Sequence, residues 1–201
     1  MTEQTTRTRA RGKVRAFLAG GLVLGVGATV VLAAWNDSEF GTGTFTAGTF
    51  NMQGSTDGTT YADHAAAPGA TLPFTVNPAN LAPGDTVYAP FAVRLAANTS
   101  TGATVTVNGA TAGGSVANLS YQLLQTTSFG CSADTTGTEL VAAGTALDGA
   151  LSGVTFDLAA GSPVTDPGQA AFLCFKVTAG AGLVQGQTGT ATWELAAAST
   201  S

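Results

Sequence analysis

Charged side chains are scarce in this chain, and cations scarcer still: only 9% of its 201 residues are charged, and seven are basic. Five of these, Arg7, Arg9, Arg11, Lys13 and Arg15, fall in the first fifteen positions, so that beyond residue 33 only Arg94 and Lys176 remain. Eleven acidic residues lie in that same stretch, and residues 34–201 carry a formal net charge of −9. This balance argues against nucleic acid as a partner, because binding there depends on Lys and Arg neutralising phosphates. Histidine is nearly absent. The single His64 stands in the loop-like stretch ADHAAAP, whereas a zinc peptidase needs two His and a carboxylate, usually as His-Glu-x-x-His. No Gly-x-Ser-x-Gly elbow accompanies it, and no Asp-x-Asp-x-Asp-Gly calcium loop occurs. The expectation is a protein without catalytic residues, metal site or cofactor, with His64 on an exposed loop.

Cysteine is limited to Cys131 and Cys174. Neither directly follows the N-terminal apolar run, so a lipid-modified Cys anchor is not expected. A Leu-Pro-x-Thr-Gly sorting motif is missing too, and the last residues, AAASTS, include neither a hydrophobic tail nor a basic stop.

What is present begins with a leader. Residues 16–34, AFLAGGLVLGVGATVVLAA, are nineteen apolar or small residues without a charge, preceded by the basic stretch 7–15. Val31 and Ala33 occupy positions −3 and −1 of a cut between Ala33 and Ala34. This is the three-part layout of a secretory signal, and the reading is a signal peptide at 1–33 with its hydrophobic core at 16–33. The same run is nearly long enough to stay as an uncleaved membrane anchor, with Gly21 and Gly25 as a small-xxx-small pair. The arginines alternate with other residues, which favours general secretion over the twin-Arg route. The membrane then matters only through the signal segment before cleavage, and the body is extracellular.

That body, residues 34–201, alternates apolar and polar residues with period two, between Gly, Pro and Asn signals. The clearest run is Val87, Ala89, Phe91, Val93 and Leu95, where Pro90 suggests an edge strand or a bulge. Shorter runs are Leu72/Phe74/Val76, Val105/Val107, Leu119/Tyr121/Leu123, Val154/Phe156/Leu158 and Ala191/Trp193/Leu195. Residues 170–178, AAFLCFKVT, are apolar on both faces, as a central strand requires. With 42–52 these make about eight strands, and 138–151 reads as containing a helical turn. Turn signals include Pro83-Gly84-Asp85, Asn108-Gly109 and Asp148-Gly149. The predicted fold is all-β, a jelly-roll-like β-sandwich preceded by the hydrophobic signal helix. In an exported protein a lone cysteine pair is most simply a disulfide, here Cys131–Cys174. A catalytic or metal-binding thiol pair needs partners that the sequence lacks.

Just after the proposed cut stand Ala34-Trp35-Asn36-Asp37, then Thr44-Phe45-Thr46-Ala47-Gly48-Thr49-Phe50-Asn51-Met52. A second element is Asn80-Leu81-Ala82-Pro83-Gly84-Asp85. These stretches resemble the start of mature TasA/camelysin-type proteins and that family's Asn-Leu-x-Pro-Gly-Asp turn before a long strand. The chain departs from the pattern at Phe50 and Met52, where leucines are usual, and at Asn51, where Asp is usual. The resemblance implies a jelly roll, cleavage by a SipW-type signal peptidase, and self-association or assembly with a related subunit into matrix fibres. Some relatives are classed as metallopeptidases, but this chain lacks their ligands. In 42–52, Phe45 and Ala47 share a face, and a bulge at Gly48 returns Phe50 and Met52 to it. Such a strand either pairs within its own domain or is donated to a neighbour's sheet.

Asp37 and Glu39 beside the cut read as a solvated acidic start or as part of peptidase recognition. The sequons at Asn36, Asn98 and Asn118 carry little weight. The leading expectation is a secreted structural protein of the cell surface or biofilm matrix. Second comes an adhesin or ligand-binding module that uses exposed aromatics such as Tyr61 and Tyr88; a secreted peptidase is a distant third. N-terminal sequencing of the exported form checks the leader: the expected first residue is Ala34, and an intact N-terminus would mean a retained anchor.

Overall fold

The computed structural model describes residues 38–44, 46–75 and 78–200. The signal helix, the cut at Ala33/Ala34, Trp35, Asn36, Asp37, Phe45 and Val76 lie outside these residues. The chain divides into two units, Met1–Phe45 and Thr46–Ser201. Of the first, Ser38–Thr44 are exposed and without regular structure.

The second unit is all-β. Its strands are β1 (Met52–Ser55), β2 (Thr86–Leu95), β3 (Ala103–Val107), β4 (Thr111–Gly114), β5 (Leu119–Thr126), β6 (Thr138–Ala146), β7 (Thr155–Leu158), β8 (Ala171–Ala179), β9 (Gly189–Thr192) and β10 (Leu195–Ser199). A five-stranded sheet runs β1-β2-β8-β5-β6, a three-stranded sheet β10-β3-β7, and a short ribbon pairs β4 with β9. Every strand pairing in these sheets is antiparallel.

Alternation explains the layering. Val87, Ala89, Val93 and Leu95 of β2, Tyr121 and Leu123 of β5, and Leu173, Phe175 and Val177 of β8 project from one face of the larger sheet. They join Ala103, Val105 and Val107 of β3 and Phe156 and Leu158 of β7 in one buried cluster, so the sheets share one core in a β-sandwich-like arrangement. Each of the Val, Leu and Phe side chains among them contributes about 1.5–3 kcal/mol on burial.

As its two-sided apolar sequence predicts, β8 is the middle strand. Its outward residues are covered by the loop after β5. Phe172 meets Phe129 edge-on at 6.2 Å, Cys174 bonds Cys131 with Cα atoms 5.1 Å apart, and Lys176 Nζ donates to the carbonyls of Ala133 at 3.0 Å and Thr135 at 2.8 Å. Three successive outward side chains therefore hold one lid.

Several expectations need correction. Residues 42–52 do not form a strand: the described part is coil up to Met52, apart from a single bridge of Thr49 to Thr99. Gly48 makes no bulge; it lies so close to the Ser100 side chain that a Cβ would collide. Residues 72–75 contribute only a bridge, with Thr75 N donating to Tyr88 O at 2.8 Å, because Pro73 removes a donor and Phe74 N turns back to Leu72 O. The stretch 138–151 holds no helical turn at 138–146, which is edge strand β6. The 191–195 run is broken: three residues (108–110) oppose two (193–194) between the β4–β9 and β3–β10 ladders. This bulge turns Trp193 onto the core, 4.9 Å from Phe175 and 5.8 Å from Tyr121. Pro90 sits in an interior strand, but the β1 pairing covers only Ala92–Leu95. Tyr88 O, of the same parity, bonds Thr75 rather than β8. Pro90 thus lacks a donor only where β2 has no strand beside it.

Replacing both Cys131 and Cys174 by Ala opens a loop with 43 residues of sequence separation. The expected loss is about 4 kcal/mol, or a fall in Tm on the order of 10 °C, measured by thermal melting of the double variant.

Candidate functional site

The residues singled out near the start converge on one feature, an uncharged segment leading into β1. No charged residue occurs from Phe40 to Ser55. Its described residues as far as Phe50 are exposed, Phe40 at 94% and Phe50 at 41%. These two are the exposed aromatics among the described residues.

The segment is fastened at its C-terminal end. Thr49 Oγ1 donates to Asn98 O at 2.6 Å, Ser100 N to Thr49 O at 3.1 Å, and Ala96 N to Asn51 O at 2.9 Å. Asn98 makes this clamp possible by adopting φ 65°, a left-handed conformation that Asn tolerates better than most residues. Chain N-terminal to Thr49 makes no strand pairing among the described residues.

Pro83, Gly84 and Asp85 lie elsewhere and form a structural turn. Asp85 Oδ2 accepts from Ala82 N at 2.8 Å, Gly84 N donates to Ala179 O at 2.8 Å, and Ala179 N donates to Asp85 O at 2.8 Å. The turn fixes the start of β2 against the end of β8. Gly84 is required there by its φ of 94°.

The remaining polar features are committed to structure. Arg94 stacks on Tyr61 with its guanidinium 3.8 Å from the ring centroid, and Lys176 lies 6.0 Å from that of Tyr88. Both tyrosines are half-buried. The two cations of the body thus cover the two aromatics that an adhesin would present. Asp57 accepts hydrogen bonds from Thr59 N, Thr60 N and Ser55 Oγ, at 2.7–2.9 Å. These bonds, led by that from Thr60, hold its carboxyl well below the usual range. Asn118, at φ 66°, binds Gly182 O through its side chain.

Chemistry is thin at every other point. His64 is exposed. No group of three or more His, Cys, Asp or Glu able to hold a metal occurs among the described residues. The hollow at the lid, about 380 Å³, is lined by Thr126, Ser128, Ser132 and Thr135 among others, with no ionisable side chain. Tyr121 and Trp193 bury their hydroxyl and indole nitrogen in the core without a well-formed hydrogen bond. Burial raises the Tyr121 pKa, with the nearby indole pulling the other way. No family model matches the chain, and no curated protein matches it.

The sequence reading missed the clamp. Its signal was Asn98, an Asn in a turn-like AANTS stretch, which only the folded chain places beside Thr49. Substituting Gly84→Ala imposes a strained φ and costs about 1–2 kcal/mol. Guanidinium unfolding should record that loss, while any self-association of the protein stays unchanged.

Proposed function

We propose that this protein is a secreted, non-enzymatic structural component of the cell surface or matrix that assembles by donating its N-terminal segment to a neighbour. In this reading it is a TasA/camelysin-like subunit, freed from the membrane by a SipW-type signal peptidase that cuts before Ala34. The single observation that carries the assembly reading is the uncharged stretch from Phe40 to Gly48, whose described residues are exposed and make no strand pairing.

The jelly-roll reading is supported by strand order. Numbered along the chain, a jelly roll has one sheet ordered second, seventh, fourth, fifth and the other first, eighth, third, sixth. Here β2-β8-β5-β6 occupy the first series, with β1 as an additional strand outside β2, and β10-β3-β7 stand for eighth, third and sixth. The first place, beside β10, is taken by no described strand.

Charge is consistent with this mode. Bodies of net charge −9 repel one another, so cohesion has to come from uncharged backbone. A donated strand supplies it, adding hydrogen bonds at a sheet edge.

Electron microscopy tests the reading. The body starting at Ala34 should form ordered fibres, whereas one starting at Thr49, which keeps all ten strands, should remain monomeric. Monodisperse monomer from both at high concentration refutes assembly.

A further inference from the structure

We propose that the Cys131–Cys174 disulfide is a thiol-sensitive latch, independent of the assembly reading above: its reduction lifts the loop of residues 127–137 off the outer face of the larger sheet while both sheets stay folded. Register shows what the loop covers. Across β2, β8 and β5 the outward side chains stand in rows: Ala92, Phe172 and Thr126, then Pro90, Cys174 and Leu124, then Tyr88, Lys176 and Gln122. The first two rows are mostly apolar. Ala92, Cys174 and Leu124 are at most 5% exposed, although none belongs to the main core cluster. They form a second, smaller apolar layer, and over β8 the loop is its cover.

The loop is hinged on the sheet and takes no part in it. Its ends lie side by side, because Gln125 pairs with Thr138 in the β5–β6 ladder, so it can swing without moving a strand. Gly137 closes this hinge, where a Cβ would collide with Gln125 O. Among the described residues the loop backbone makes one backbone hydrogen bond outside the ladders, Thr135 N to Ser132 O at 3.3 Å, and that bond is internal. Segments so poor in backbone bonds open at low free energy. Three ties hold this one down. Phe129 sits against Phe172 and over Gly58, where a Cβ would strike its ring. Lys176 Nζ donates to Ala133 O and Thr135 O, bonds that water can replace. The disulfide is the third, and the only one that chemistry can cut.

The hollow of about 380 Å³ is the route to it. Cys131 lines it together with the exposed Thr127, Ser128, Ser132 and Thr136, and no carboxylate lines it to repel a thiolate. Cys174 is fully buried, so an entering thiolate attacks Cys131 Sγ. The Sγ–Sγ bond breaks, and Cys174 leaves as a thiolate that takes a proton from water. A second thiolate attacks the external sulfur of the mixed disulfide and releases Cys131, which is protonated in turn. The reductant's two thiols end as a disulfide, and their two electrons have reduced the protein pair.

The test compares the exported protein before and after dithiothreitol treatment, using chymotrypsin digestion and circular dichroism, with mass spectrometry to count free thiols. Cleavage after Phe129 should become at least about tenfold faster on reduction. Cleavage after Phe156 and Phe175, which lie in the core, should not change, nor should the circular dichroism. Cys131→Ser should behave like the reduced protein without any reductant; if that variant does not fold, the reduced protein decides alone. Slow cleavage after Phe129 with both thiols free would show that the disulfide does not hold the loop. Equal acceleration at Phe129, Phe156 and Phe175 with loss of the β signal would make the bond a staple of the whole domain and overturn the latch. A bond that dithiothreitol cannot break in the folded protein overturns it as well.

Discussion

The structure depends on burying β8 from both sides. Its inward residues Leu173, Phe175 and Val177 meet the opposite sheet across the core, and its outward residues Phe172, Cys174 and Lys176 hold the loop after β5. Strands β2 and β5 then have a fixed template on either side, each paired with it over eight residues. A lone Phe→Ala change in such a core costs about 3–5 kcal/mol, comparable with the entropic effect of the disulfide. A single inward aromatic on one face and the covalent staple on the other thus stabilise the same strand by similar amounts. A chain with 9% charged residues has few ion pairs to add, which leaves these two terms to dominate.

Strands with large alternating side chains were legible in the sequence. Val87 to Leu95 and Phe172 to Val177 give both register and depth, and Leu119 to Leu123 a third element beside them. Strands built from Ala, Gly and Thr were not: β4 (TAGG) and β9 (GTAT) pair through backbone with only a Thr190 Oγ1 bond to Gly113 O added, and β6 buries deeply only Val141. Alternation also misleads where no partner is at hand. Phe45, Ala47, Phe50 and Met52 alternate well enough to read as a strand, but alternation states only which face would turn inward if a neighbouring edge existed. In its own chain the described part of that segment finds a clamp at Asn98 and Ser100 instead. Trp193 is the intermediate case, with the inward face read correctly and the bulge beside it invisible, since that depends on residues 108–110 far back in sequence.

The same distinction applies to the candidate sites. Cys131 and Cys174 were legible from compartment logic, because two thiols in an oxidising setting have one simple outcome. Pro83-Gly84-Asp85 was legible as a turn, and its folded geometry gives Gly84 and Asp85 structural tasks. Tyr61 and Tyr88 looked like exposed binding aromatics in one dimension, whereas in three each is covered by a cation from the same face of the sheet.

Sequence and fold meet at the distribution of charge. Eleven carboxylates on so small a body oppose any close approach of two copies, yet they are absent from both the stretch that leads into β1 and the strand that ends the smaller sheet. An unguarded edge is ordinarily a hazard that selection removes with a single Lys or Pro. Here the rest of the surface already resists non-specific contact through its net charge. Uncharged edges such as those of β4, β9 and β10 can then persist.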